Sequence, residues 1–213
     1  MKKNSFAVSN RIFTYDLDAV AIAIYVYLTF NCFRKRYAPP VNCKKLSNEL
    51  HASEEVIRKR IRMLIDKNLI EIDEGYLLIK TKIANRPWGF WLLPKVDKIK
   101  NSFLLPNELF TLHLCAGEIA VYAFLLSCEN RDTYQCYPSY KTIGEAIHMS
   151  RGTVKKYVDS LVDKHLIYTE PTQVWGKHGK KRNGNLLYTI RPIADAVAFQ
   201  VDNGLKNLPK TRA

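Results

Sequence analysis

Slid over itself, the 213-residue chain matches without a gap at an offset of 97, aligning Asn4 through Ile70 with Asn101 through Ile167. The match opens with Asn4-Ser5-Phe6 against Asn101-Ser102-Phe103. It runs through Phe13-Thr14/Phe110-Thr111, Ile22-Ala23/Ile119-Ala120, His51/His148 and Ser53/Ser150, and closes on Leu69-Ile70/Leu166-Ile167. About one third of the aligned positions are identical. Two copies with a period of domain size point to a duplicated domain, because a solenoid needs at least three short units. The expected division is residues 1–97 and 98–213.

Both repeats carry the same pattern. A short strand (Phe6 to Val8; Phe103 to Leu105) precedes a strongly apolar helix (Leu17 to Phe30; Ala116 to Ser127) and a polar loop (Arg34 to Val41; Asn130 to Pro138). A short helix follows (Lys44 to Leu50; Ser139 to Ile147), then a tight turn and a longer helix. Ser53 and Ser150 stand at the start of the longer helices, where a hydroxyl oxygen accepts from an otherwise unpaired N–H of the first turn. Ile57, Ile61, Leu64, Ile65 and Val154, Val158, Leu161, Val162 recur at i, i+4, i+7, i+8, one core stripe on each helix. Past Ile70 and Ile167 the period changes to strand. The first repeat gives a compact hairpin turning at Asp73 to Gly75. The second gives strands Ile167 to Thr169 and Leu186 to Ile190 around a long segment, Gln173 to Asn185, rich in Lys, Arg and Gly.

Helix, tight turn, helix and hairpin is the plan of a winged helix, which sets its second helix in a major groove and its hairpin on flanking DNA. The expected fold is mainly α with small β-hairpins (α+β): two tandem winged-helix domains from an internal duplication. Pro138-Ser139-Tyr140-Lys141-Thr142-Ile143-Gly144-Glu145-Ala146-Ile147-His148-Met149-Ser150-Arg151-Gly152-Thr153-Val154, continued to Leu161 and Leu166-Ile167, resembles bacterial winged helix-turn-helix families in which a small, apolar, Ser, Arg, x, Thr, Val turn opens the recognition helix. Phe103-Leu104-Leu105-Pro106-Asn107-Glu108-Leu109-Phe110 is similar to the lead-in of plasmid replication initiators of the RepA N-terminal type and of DnaD-like replisome proteins. The first resemblance implies DNA binding and the second a role in replication on a mobile element. His51 and His148 fall where such families often carry Gly, a turn position that tends to need positive φ.

The charge agrees with a polyanionic partner. Thirty-three Lys and Arg against 20 Asp and Glu give +13, with an excess of +7 in residues 1–97 and +6 in 98–213. With the core stripe of the second long helix removed, Arg151, Thr153, Lys155, Lys156, Tyr157 and Ser160 are left for a partner. Arg and Lys reach guanine O6/N7 or phosphate, and Thr bonds a base edge or touches a thymine methyl. Ser150 at the helix start is counted among the DNA-binding residues, and the basic wing together with Ser139, Tyr140 and Lys141 at the start of the preceding helix is expected to fix register on phosphates. Lys177, Lys180, Lys181 and Arg182 make a cationic tip suited to phosphates or a minor groove. The first repeat offers Arg58, Lys59 and Arg62, but Glu54 and Glu55 occupy the first turn of its long helix, where phosphate contacts are normally wanted. That face either reads cytosine N4 or binds a replisome or transcription protein. Trp88, Phe90 and Trp91, in the join between repeats, are read as cement between the domains rather than as a base-stacking platform.

Five cysteines, an odd number without a CxxC pair, suggest neither a disulfide framework nor a zinc knuckle, which fits a cytoplasmic protein. The apolar run Ala19 to Phe30 is too short to span a bilayer, and Glu118 interrupts its counterpart, so no membrane partner is expected. No catalytic residue, metal site or cofactor is expected: no H-x-H or H-E-x-x-H spacing occurs, as a metal-dependent nicking enzyme would require, and no Walker A loop. The expectation is a tandem winged-helix protein binding double-stranded DNA, as a transcriptional regulator or a replication initiator, acting as a monomeric pseudo-dimer or a homodimer. The alternative is a winged-helix module for protein interaction.

Overall fold

The structure is a computed structural model, and it describes residues 4–35, 42–73, 76–79, 101–175 and 181–206. The first repeat runs β1 (Ser5–Ser9), a 3-10 segment (Asn10–Thr14), α1 (Ala19–Lys35), α2 (Cys43–Leu50), α3 (Glu54–Asp66), β2 (Ile70–Asp73) and β3 (Tyr76–Ile79). The second runs β4 (Ser102–Pro106), a 3-10 segment (Asn107–Thr111), α4 (Ala116–Cys128), β5 (Gln135–Cys136), α5 (Tyr140–Ile147), α6 (Arg151–Asp163), β6 (Ile167–Trp175) and β7 (Lys181–Ile190), and α7 (Ile193–Lys206) follows. The architecture is mainly helical with small antiparallel sheets, as the sequence pattern implies.

Local chemistry sets the boundaries. Helix α1 starts at Ala19 rather than Leu17, because the Asp18 carboxylate accepts from the Ala21 N–H at 3.0 Å and caps the first turn. Ser139 likewise lies just outside α5, its hydroxyl accepting from the Thr142 N–H. Three left-handed backbone positions recur at the repeat offset: Asp16/His113, His51/His148 and Asn68/His165, with φ between 48° and 60°. None is glycine. Asp, Asn and His are the side chains that tolerate this region best, so the shape of both repeats is written in those residues.

The repeats are joined along a sheet that no local sequence signal pairs. Strand β1 lies antiparallel to β4, with Ser5 opposite Pro106, Ala7 opposite Leu104 and Ser9 opposite Ser102. Under the offset of 97 each of these pairs maps onto another of the set, and Ala7/Leu104 maps onto itself. A local two-fold axis therefore passes through that pair. The flanking bonds obey it: Asn10 N–H donates to Asn101 C=O at 3.0 Å, and Asn107 N–H to Asn4 C=O at 2.9 Å. One pair of ring contacts obeys it too: Phe13 meets Phe124 edge-on at 5.1 Å, and its counterpart Phe110 meets Tyr27 at 5.2 Å. Helices α1 and α4 pack together beneath the sheet. Ala116 through Leu126 are buried without a break, which explains a helix apolar all round. Buried residues from both repeats form one continuous core. The expected cement, Trp88, Phe90 and Trp91, lies outside the described residues; the sheet and the α1/α4 contact join the repeats.

Two further expectations are corrected. Much of Gln173 to Asn185 is strand, since β6 and β7 stay paired out to Trp175 opposite Lys181, past an irregularity at Pro171/Gln173. A proline there is accommodated because β6 is an edge strand. The Asn130 to Pro138 loop contains β5, which pairs with β7 and makes a three-stranded sheet. Helix α7 docks on the second repeat: Gln200 donates to the Leu112 carbonyl at 2.8 Å, and Phe199 stacks on His165 at 4.0 Å.

Candidate nucleic-acid interface

The turn between α5 and α6 explains how the second repeat presents a helix. Helix α5 ends on His148 at φ 54°, and the Met149 N–H returns to the Gly144 carbonyl at 2.9 Å. A Cβ built on Gly144 would stand 2.4 Å from the Met149 carbonyl oxygen, so the tightness of this turn requires glycine. Ser150 then starts α6, its hydroxyl accepting from the Thr153 N–H at 3.1 Å and pairing with the Thr153 hydroxyl at 2.8 Å. The first repeat builds the same device with Asn42 and Ser53 as caps and His51 at φ 50°. Ser47 stands there in place of Gly144, and the corresponding bond from Ala52 N–H lengthens to 3.2 Å.

The inner face of α6 is fixed by an acid buried in α4. Glu118 is 4% exposed. It accepts from the Cys115 N–H at 2.7 Å, from Lys164 Nζ at 2.7 and 2.8 Å, and from the Ser160 hydroxyl. Burial works to raise its carboxyl, but these hydrogen bonds outweigh burial and hold it below the usual carboxylate range. In the sequence Glu118 argues only against a membrane span. The usable signal is chemical: a carboxylate in an otherwise apolar helix of a globular chain has to be partnered.

Ser160 is therefore not available to a partner. Tyr157 is also turned inward, its ring lying on Gly117, where a Cβ would approach it to 2.3 Å. Burial raises its hydroxyl first, with Cys115 adding to the effect. Tyr140 is half-buried against the core. Arg151, Lys155 and Lys156 are exposed, and Thr153 is half-buried. Lys155 pairs with Asp159 at 2.7 Å and Lys141 with Glu145 at 3.6 Å, both i,i+4 contacts on exposed faces. On the wing, Lys181 and Arg182 are exposed on β7 opposite Trp175 and Val174. Lys181 Nζ lies 5.4 Å over the ring of Trp175, which is 73% exposed. Nothing in the sequence pattern singles out this tryptophan. Lys177 and Lys180 lie outside the described residues.

In the first repeat Arg58, Lys59 and Arg62 are exposed on α3, but Arg58 is tied to Glu54 at 2.8 Å. The equivalents of Cys115 and Tyr157 are Asp18 and Arg60, which form an ion pair that locks α3 onto the start of α1.

Residues 112–167 match the family model of a helix-turn-helix domain. That segment is similar to helix-turn-helix domains. It spans α4, β5, α5 and α6, and Ile167, the first residue of β6, closes it. No curated protein matches the sequence. Among solved structures, the chain is similar to the Pi initiator protein in a crystal structure of its complex with iteron DNA. That alignment has 11% identity and a TM-score of 0.49 and covers 90% of this chain and 99% of the other. The matched segment includes the exposed α6 cations Arg151, Lys155 and Lys156, and the wing extends beyond it. No helix among the described residues is long and apolar enough to cross a membrane.

Proposed function

We propose that the protein binds double-stranded DNA sequence-specifically through its second repeat, without catalysing a reaction. One observation carries this reading: a capped α6, clamped from behind by Glu118, turns Arg151, Lys155 and Lys156 to solvent in the recognition position of a helix-turn-helix domain. In such a domain the start of the second helix meets base edges, so Arg151 and Thr153 read bases and Lys155 and Lys156 settle on phosphate. The wing, with Lys181 and Arg182 beside Trp175, reaches the flanking backbone or minor groove.

The first repeat is the weaker reader, because Glu54 and Glu55 bring negative charge to the helix end that phosphate prefers. Its α3 face suits a protein partner, from the replisome or the transcription machinery. Of the two biological jobs, the resemblance of Phe103–Phe110 to initiator lead-ins favours replication initiation on a mobile element over regulation of a promoter. Selection of bound duplexes from a randomised library tests the reading. The expected result is one enriched motif, bound about tenfold or more weakly by Arg151→Ala, in line with about 1–3 kcal/mol for a good bidentate base contact. An iterated motif at an origin supports the initiator, and one overlapping a promoter supports the regulator. Failure to enrich any motif overturns sequence-specific binding.

A further inference from the structure

The local two-fold brings each repeat's His51/His148 turn against the other repeat, and the two resulting seams differ in charge. At the first, the Asp16 carboxylate accepts from His148 Nε2 at 2.9 Å and lies 3.8 Å from Lys67 Nζ. The offset of 97 carries these three residues onto His113, His51 and Lys164. At the second seam, then, an imidazole stands where the first has its carboxylate. A cavity of about 350 Å³ lies there, lined by His51 from the first repeat and by His113, Cys115, Glu118, Lys156, Tyr157, Ser160 and Lys164 from the second. Among the described residues its one carboxylate is Glu118, which is engaged by Lys164, Ser160 and the Cys115 N–H. Among the described residues, His51, His113 and Lys156 face the cavity without a counterpart of the Asp16 carboxylate that the first seam supplies.

We propose that this cavity binds a phosphate group, which takes the place of the carboxylate of Asp16 and ties the first repeat to the α4–α6 corner of the second. Lys156 supplies a point charge of the kind that suits phosphate. His51 and His113 supply ring donors, and Tyr157 stands beside them on the cavity wall. The volume is at the small end of ligand pockets, which fits a phosphorylated small molecule or a single backbone phosphate better than a bulky apolar ligand. The inference stands on the seam geometry and does not require the DNA-binding reading.

The decisive variant is His113→Asp, which installs at the second seam the acid found at the first. Asp16 shows that Asp is accepted at that left-handed position, with φ 55°. Calorimetric titration of the full chain with inorganic phosphate, against chloride at matched ionic strength, is expected to give one site on the wild type. His113→Asp should weaken it at least tenfold, His51→Asn should weaken it while keeping its turn, and Lys44→Ala on α2 should leave it unchanged. Duplex binding by the same variants separates the two sources. Unchanged duplex affinity in His113→Asp assigns the site to a free phosphorylated molecule, and a parallel loss assigns it to a DNA backbone phosphate. Equal phosphate affinity in wild type and His113→Asp, or no response of the wild type beyond that to chloride, overturns the proposal.

Discussion

At the residue scale, a few side chains decide whether α6 is presented at all. Gly144 is the sharpest case, because the atom that a Cβ would meet at 2.4 Å is a backbone carbonyl of the turn itself and cannot swing away. Gly144→Ala is expected to destabilise the protein by about 2 kcal/mol, within the range for overpacking a tight site, as read from urea unfolding. An unchanged midpoint would mean that the turn is looser than described. Glu118 makes a different prediction. Its carboxyl is held below its ordinary value of 4.5, so its charged form is favoured by folding. The stability it contributes is fully present above pH 4.5 and is lost as the pH falls through the lowered folded value. Glu118→Gln should lower stability at neutral pH by about 2 kcal/mol, the scale of a hydrogen bond to a charged group, and should flatten the acid limb of the stability profile. Parallel acid limbs in wild type and variant would refute this role for Glu118.

At the element scale, the repeat makes the helices legible and leaves their partners hidden. The core stripes of α3 and α6, the serine caps and the left-handed turns at His51 and His148 are all readable, because each rests on interactions within a few residues. Ser150 caps α6 by bonding Thr153, and His148 closes α5 through Gly144. Pairing of β1 with β4 is not readable, since its partners stand roughly a repeat apart and nothing local distinguishes a strand that pairs from one that does not. Strand β5, two residues long, is too short for any alternation to show. The wing reads as a long loop because most of its strand residues are exposed on both faces, so polar content hides the period of two. Tyr157 escapes the pattern for a related reason. A helical period gives a residue's side of the helix but not whether a neighbour has left room for it, and here Gly117 has. Gly117→Val, which puts into α4 the side chain that Val20 gives α1, is expected to displace the Tyr157 ring and weaken α4–α6 packing by about 1–3 kcal/mol. Thermal unfolding of this variant checks that.

At the scale of the whole molecule, the duplication behaves as a dimer closed within one chain. The two repeats share a sheet, ring contacts across their boundary and one core, so they should unfold together. Leu105, fully buried in β4, is placed to test this: Leu105→Ala should cost about 2–5 kcal/mol and shift a single cooperative transition. Two separated transitions would show that the repeats are independent. The same closure places α6, with exposed Arg151, Lys155 and Lys156, and α3, with Glu54 and Glu55 in its first turn, in one chain with an overall charge of +13. The reading of the second repeat as the DNA-docking half therefore makes a quantitative demand. The most direct test is fluorescence anisotropy of a labelled random-sequence duplex over a salt series, with wild type beside a variant in which Lys177, Lys180, Lys181 and Arg182 are all alanine. Wild-type affinity is expected to fall steeply with salt, and the variant's slope should be shallower by up to about 0.9 for each phosphate it no longer neutralises. Absence of wild-type binding at low salt, or identical slopes for the two proteins, would contradict the account.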